Sequence, residues 1–297
     1  MALRGAVYVN GTIKPAHEAV VPVYDHGFLY GEGVYETLRT YNRVPFLYDR
    51  HMARLRASAE RIHLGVPFSD AELAAWIDDT VAAAGELEHA YIRILFTRGV
   101  GELNYDPKST PTPTTVIIVK PFEAPPARVF TEGINICLVD ILRNHPASVN
   151  PLIKANNLLN NALAMQEAYR RGGEEGLMCN YRGELSECSQ ANFFMVRGGA
   201  VLTPMSEAGL LEGITRAFLF EVGRDTAIDV QEATLFPEDL DTADEAFITS
   251  TTRELSPVTS IGGKPVGTGR VGAVTQRMLD GYRRKAQELT SGAAASR

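Results

Sequence analysis

The chain has no run of about 18 consecutive apolar residues among its 297, so it offers no membrane-spanning helix. Its opening, MALRGAVYVNG, carries too short an apolar stretch for a signal peptide; a cytosolic protein that meets no membrane is expected. Cysteine is scarce. Cys137, Cys179 and Cys188 cannot all pair and show no CxxC spacing, which excludes a disulfide framework and gives no sign of zinc or another metal. Positive charge is also lacking: the formal net charge is −7, and the basic residues are scattered rather than gathered into a stripe, so nucleic acid is not an expected partner. HExxH, Walker A and GxSxG are all missing, which removes the commonest metalloprotease, NTPase and α/β-hydrolase readings. Low complexity is confined to the short Ala/Ser/Gly tail after Thr290, where disorder is expected.

What is present is the composition of an ordinary globular protein, with 45% hydrophobic and 22% charged residues. The length predicts two domains. AVYVNGTIKP alternates apolar and polar residues about Asn10-Gly11, a hairpin signal; Asn10-Gly11-Thr12 is therefore read as a turn rather than a glycosylation site. Helical spacing marks 51–63 and 70–84, the second with Ser69 as N-cap. Residues 91–97 and 115–119 are rich in β-branched and aromatic residues and read as strands. KPFEAPPARV, 120–129, holds three prolines and is taken as an interdomain linker. It separates a smaller N-terminal domain, 1–119, from a larger C-terminal one, 130–297. Beyond it the pattern gives a strand near 133–138, a helix led by Lys154, strands through 177–202 and at 245–249, and helices over 214–222 and 271–289. Hairpins mixed with helices, without regular βαβ alternation, predict an α+β fold: two α/β domains with mixed and antiparallel sheets.

Gly267-Thr-Gly-Arg-Val-Gly272 fits GxGxxG, but only 25 residues follow it, too few for the βαβ unit that a dinucleotide site requires. Four other places put polar groups where the pattern predicts burial. Lys154 heads a helix whose apolar face is Ala155, Leu158, Leu159, Ala162 and Leu163; it either snorkels to water or is held for chemistry. Glu187, in GELSECSQANFF, is either an exposed turn carboxylate or a buried acid. Arg54, in HMARL, is either solvated or a ligand. LLEGITR, 210–216, brings a glycine to a helix start, where free N–H groups favour an anion, and Ser250-Thr251-Thr252 adds hydroxyls after a strand. Together these are the parts that pyridoxal 5'-phosphate needs: an amine for its aldehyde, an acid for its pyridine nitrogen, and a helix terminus with a cation for its phosphate.

The chain resembles the fold-type IV (class IV) aminotransferases, which include the branched-chain and D-amino acid aminotransferases and 4-amino-4-deoxychorismate lyase. The resemblance runs from about Val7 to Leu289. It rests on YGEGVYETLR (30–39), HMARLRASA (51–59), IKANNLLNNALAMQEA (153–168), ELSECSQANFF (184–194), LLEGITR (210–216) and ITSTTRELSPV (248–258). It implies that Lys154 is the Schiff-base lysine, Glu187 the partner of the pyridine nitrogen and Arg54 a phosphate ligand. Ile214 and Thr215 would form the phosphate cup, with Thr251 and Thr252 its second turn. It further implies a cofactor at the domain interface, a homodimer that completes each active site, and ping-pong exchange between an amino acid and a 2-oxo acid.

Substrate choice is divided. Branched-chain relatives commonly carry a tyrosine five residues after the lysine and a GTAAE-like turn; here stand Leu159 and Ser250-Thr-Thr-Arg-Glu254, which lean toward D-amino acids, (R)-amines or the lyase. The arginine and histidine trap of D-amino acid enzymes is expected just after Thr97-Arg98-Gly99, yet VGELNYDP contains neither. Arg93 shares a strand face with Tyr91 and Leu95, where a branched-chain relative has a pocket arginine. Arg39, Arg98 and Arg253 are further candidates for a carboxylate clamp, and Tyr35 for an aromatic pocket wall. The sequence leaves the four arginines unranked, with a branched-chain enzyme using 2-oxoglutarate as the leading reading.

Overall fold

The Asn-Gly hairpin forms where the alternation predicts it, and it opens the first of two sheets. The computed structural model describes residues 3–291; of the terminal tail, 292–297 lie outside the described residues. Two units cluster separately: 3–123 with Ile153–Leu158 and 287–291, and Ala124–Leu152 with Leu159–Ala286.

In the first unit β1 (Ala6–Val9), β2 (Thr12–Pro15), β3 (Gly33–Tyr41), β4 (Val44–Pro45), β5 (Ala90–Thr97) and β6 (Thr114–Pro121) make an antiparallel sheet in the order β2-β1-β6-β5-β3-β4. Its helices are α1 (His26–Tyr30), α2 (Tyr48–Arg61) and α3 (Asp70–Ala83). Ser69 caps α3 in a full capping box with Glu72. One face of β3 and β5, with Val34, Leu38, Ile92, Ile94 and Phe96, is buried with Met52, Leu55 and Ala59 of α2 in a single core. Each such large side chain contributes roughly 1.5–3 kcal/mol by leaving water. The opposite face carries Tyr35, Thr37, Arg39, Tyr91, Arg93 and Leu95, as the two-residue period of a strand demands.

The second unit holds α4 (Ala127–Thr131), α5 (Leu159–Arg170), α6 (Ile214–Thr226) and most of α7 (Ala273–Ser291). Its strands are β7 (Ile134–Leu138), β8 (Gly176–Cys179), β9 (Leu185–Cys188), β10 (Asn192–Arg197), β11 (Ala200–Pro204), β12 (Val230–Ala233), β13 (Glu245–Ser250), β14 (Glu254–Ile261) and β15 (Lys264–Pro265). Parallel pairs β7–β8, β7–β14 and β11–β12 are mixed with antiparallel ones. Because β9 pairs with both β8 and β10, the path β10-β13-β14-β7-β8-β9 closes on itself. Its seam is the facing pair Glu187 and Asn192.

Three differences from the sequence expectation have local causes. The expected linker 120–129 is partly regular, with Lys120 and Pro121 in β6 and 127–129 in α4, leaving 122–126 irregular. Lys154 belongs to the first unit rather than to the C-terminal domain, because its backbone bonds to β3. That bonding also delays the helix: α5 starts at Leu159, and it buries Ala164, Met165 and Ala168 while Leu159 and Leu163 are exposed. The GxGxxG segment is a turn. Both amides at the start of α7, of Val274 and Thr275, donate to the Glu245 carboxylate at 3.0 and 2.7 Å, so that helix terminus already holds its anion. Among the described residues no helix is long and apolar enough to cross a membrane.

Candidate active site

In the first unit the site is built around an extended lysine. The Tyr35 amide donates to the Lys154 carbonyl at 2.9 Å, the Asn156 amide to the Gly33 carbonyl at 2.9 Å, and the Lys154 amide to Ser58 Oγ at 3.1 Å. With its backbone held on both sides, Lys154 is aimed by β3 and α2 rather than by a helix of its own. Its Nζ donates to the Tyr35 hydroxyl at 3.4 Å and stands 4.4 Å from that ring's centroid. Arg93, from the neighbouring strand, packs on the same ring at 4.2 Å. Two cations thus share one aromatic ring.

Behind Tyr35, on the buried side of β3, lies a group that the motifs do not announce. Glu36 is fully buried and accepts from Arg54 Nε at 2.7 Å, Arg54 Nη2 at 2.8 Å and His51 Nδ1 at 2.7 Å. Burial opposes its charge most strongly, but Arg54 and His51 together hold its carboxyl well below the usual range. An ionised carboxylate only accepts, so Nδ1 of His51 carries the proton. Burial pushes His51 down; Glu36 works against this, while Arg54 and Lys154 add to it. The strand alternation Val34, Glu36, Leu38 is the available signal: a carboxylate in an apolar row needs partners, and α2 supplies two on one face, three residues apart.

The four arginines separate clearly. Arg98 donates to Glu32 at 2.6 Å, to the His63 carbonyl at 3.0 Å and to the Ile62 carbonyl at 2.7 Å, closing the end of α2 rather than facing a ligand. Arg39 is buried between Tyr41 and Phe122, 4.0 and 3.8 Å from their centroids. Arg253, in the second unit, lies 2.9 Å from Glu175. Arg93 is half-buried and has no hydrogen bond or ion pair among the described residues. It shares its sheet face with Tyr35, Arg39 and Tyr91.

In the second unit Glu187, Asn192 and Thr249 are register neighbours across β9, β10 and β13. Glu187 is buried; Oε1 accepts from Arg143 Nε at 2.7 Å, and Oε2 from the Leu211 amide at 3.1 Å and from Asn192 at 3.4 Å. Arg143 also donates to Asn160 at 3.0 Å. It comes from an irregular segment, so no periodicity points to it. Three donors fix the orientation of this carboxyl and leave it acceptor capacity, which is what a protonated ring nitrogen requires of its partner.

An anion site adjoins this row. Gly213 is the N-cap of the 13-residue α6 and makes no side-chain cap bond; a Cβ there would stand 2.0 Å from Asn192 Oδ1, so glycine is required by the close approach. The hydroxyls of Thr215, Thr251 and Thr252 have no hydrogen-bond partner among the described residues. Uncommitted hydroxyls and an uncapped helix start are the donor set that a phosphate takes, and the residues present fit pyridoxal phosphate.

The comparisons with known proteins agree with this chemistry. Residues 33–261 match the family model of amino-transferase class IV. A protein provisionally named a branched-chain-amino-acid aminotransferase, from Methanocaldococcus jannaschii, is 34% identical over 93% of this chain and 95% of its own. D-alanine aminotransferase of Listeria innocua is 34% identical over 92% and 93%. The solved branched-chain amino acid aminotransferase of Escherichia coli superposes with a TM-score of 0.89, at 32% identity over 93% of each chain. The chain belongs to the class IV aminotransferases. It is a transaminase whose cofactor is pyridoxal 5'-phosphate.

Proposed function

We propose that this enzyme exchanges the amino group of a branched-chain L-amino acid with 2-oxoglutarate by a ping-pong cycle. Bound, pyridoxal phosphate supplies a carbonyl that captures amines and a ring that accepts the electron pair left when the substrate Cα loses its proton. Lys154 is the base that takes that proton and returns it, and the Tyr35 hydroxyl at 3.4 Å fixes its amine. Glu187, steadied by Arg143, keeps the ring nitrogen protonated. Arg54, the amide and hydroxyl groups of Ile214 and Thr215, and the hydroxyls of Thr251 and Thr252 receive the phosphate. These roles are assigned by chemistry and by the match to the family motifs.

The observation that carries the substrate reading is Arg93. A guanidinium stacked on Tyr35, on the ring that Lys154 also meets, and with no other polar partner, is suited to the second carboxylate of 2-oxoglutarate. The name of the Methanocaldococcus relative supports the same reading. A D-amino acid or (R)-amine substrate is the second reading, supported by the Listeria relative and by the Ser-Thr-Thr turn. The exposed apolar side chains of Val20, Val23, Tyr24, Phe28, Leu103 and Tyr105 support the homodimer expected of the family, and the sedimentation mass of the protein tests that.

A half-reaction screen decides the substrate. Holoenzyme is mixed separately with L-leucine, D-alanine, (R)-1-phenylethylamine and aminodeoxychorismate while the visible cofactor band is followed, with Lys154→Ala as control. Rapid bleaching by L-leucine is expected. Bleaching by D-alanine alone would sink the proposal, and pyruvate release from aminodeoxychorismate would move it to the lyase.

A further inference from the structure

The pair of buried Glu175 and half-buried Arg253 takes no part in the roles above, although Arg253 directly follows Thr251 and Thr252. We propose that Glu175 and Arg253 are positioning residues that set the threonine turn for the cofactor phosphate, and that Arg253 is not a substrate ligand. This inference rests on the pyridoxal phosphate reading.

Glu175 has no exposure. Its Oε1 accepts from the Gln190 amide at 3.0 Å and from the Ser189 hydroxyl. Its Oε2 has no hydrogen bond in good geometry, and meets Arg253 Nη2 at 2.9 Å as an ion pair. Burial pushes its carboxyl up, and Arg253 is the leading opposing influence. Ser189 and Gln190 stand two and three residues after Glu187. One buried carboxylate therefore ties the turn that follows the ring-nitrogen acid to the turn that carries the two threonines.

The threonine turn needs such a tie. The Arg253 amide donates to the Ser250 carbonyl at 3.2 Å and the Thr249 hydroxyl to the Glu254 carbonyl at 2.6 Å. Glu254 sits at a φ of +55°, a left-handed conformation that costs a non-glycine residue energy and persists only where the surroundings impose it. Arg283 holds the Glu254 carboxylate at 2.8 Å. Thr251 and Thr252, between these fixed points, keep their hydroxyls free. An Arg253 that left to clamp a substrate would abandon a fully buried carboxylate, a strongly unfavourable exchange.

The test uses apoenzyme prepared from holoenzyme and titrated with pyridoxal phosphate and with pyridoxal, which lacks the phosphate. In Arg253→Met, affinity for pyridoxal phosphate should fall about 10- to 100-fold, the worth of a charge-assisted contact. Affinity for pyridoxal and the KM values of both substrates should change little, and Arg253→Lys should recover much of the loss. Glu175→Gln, which preserves shape, should lose a similar factor, and the double variant should be no worse than either single one. Unchanged phosphate discrimination in Arg253→Met, or a raised substrate KM in its place, would overturn the inference. Equal loss of both ligands would reduce the pair to a general structural role and overturn it too. A wild type that does not favour pyridoxal phosphate over pyridoxal would instead remove the cofactor reading itself.

Discussion

Glu36 and Arg54 are joined by two parallel hydrogen bonds, at 2.7 and 2.8 Å, in a place where the carboxylate has no exposure and the arginine side chain 13%. Such a fork fixes the guanidinium plane and leaves it little freedom to follow a ligand. Glu36→Gln keeps the shape but removes the charge and can accept on only one oxygen. Breaking a buried pair of this kind costs about 3–5 kcal/mol. Urea unfolding of the apoenzyme should show that loss, and the variant should release cofactor on dialysis faster than wild type. A loss below about 1 kcal/mol would place the pair with weak surface ion pairs.

The third member of that cluster predicts a pH dependence. His51 is neutral in the fold, and its value lies below that of an unfolded histidine, through burial first. The unfolded chain therefore binds the extra proton as pH falls through about 6.5, and stability drops with a slope of up to about 1.4 kcal/mol per pH unit. Glu36 acts elsewhere: its depressed carboxyl adds stability that is complete above the unfolded carboxylate value, near about 4.3, and is lost only in stronger acid. Glu175 acts in the opposite sense above the unfolded carboxylate value, because its raised carboxyl adds stability as pH falls, so the His51 contribution is read from the difference between wild type and a variant between about pH 7 and 5. His51→Asn keeps a donor toward Glu36 without titrating, so its urea midpoint should fall less steeply over that range than the wild-type midpoint.

These two residues also mark how far the sequence could be read. The hairpin at Asn10-Gly11, the Ser69 N-cap and the face of β5 that Tyr91, Arg93 and Leu95 share follow from local patterns that the folded chain obeys. The environment of Lys154 was not legible, because the spacing of Leu158, Leu159, Ala162 and Leu163 imitates a core-facing helix. The backbone there instead bonds to Gly33 and Tyr35, more than a hundred residues away. Arg143 was illegible for a related reason: an irregular segment has no period, and its two bonds reach Glu187 and Asn160. Choosing among arginines also required tertiary information, since only partners distinguish a committed guanidinium from an available one.

Arg143 yields a prediction that separates charge from geometry. Its Nε and Nη1 hold Glu187 and Asn160 together, which a lysine's single ammonium cannot do in a planar fork. Arg143→Lys should keep the neighbouring positive charge yet lower kcat about 10- to 100-fold, because a Glu187 displaced from the ring nitrogen weakens acid support in every turnover. Cofactor content should remain near that of wild type. A variant with full kcat would show that charge beside Glu187 suffices and that orientation by Asn160 is dispensable.

Arg93 and Arg98 stand five residues apart but should fail in opposite ways. Arg98 closes the carbonyls of Ile62 and His63 and pairs with Glu32, so Arg98→Met should destabilise the protein by about 1–3 kcal/mol, leaving part-buried acceptors without their donor. Its KM values should stay close to those of wild type in the folded fraction. Arg93 closes nothing, so Arg93→Leu should fold with nearly normal stability. It should raise the KM for 2-oxoglutarate about 10- to 100-fold, the worth of one charge-assisted pair, while L-leucine, which has no second carboxylate, is affected far less. Equal effects on the two substrates would mean that Arg93 meets the carboxylate common to both. The assignment of its guanidinium to the distal group of the 2-oxo acid would then fall.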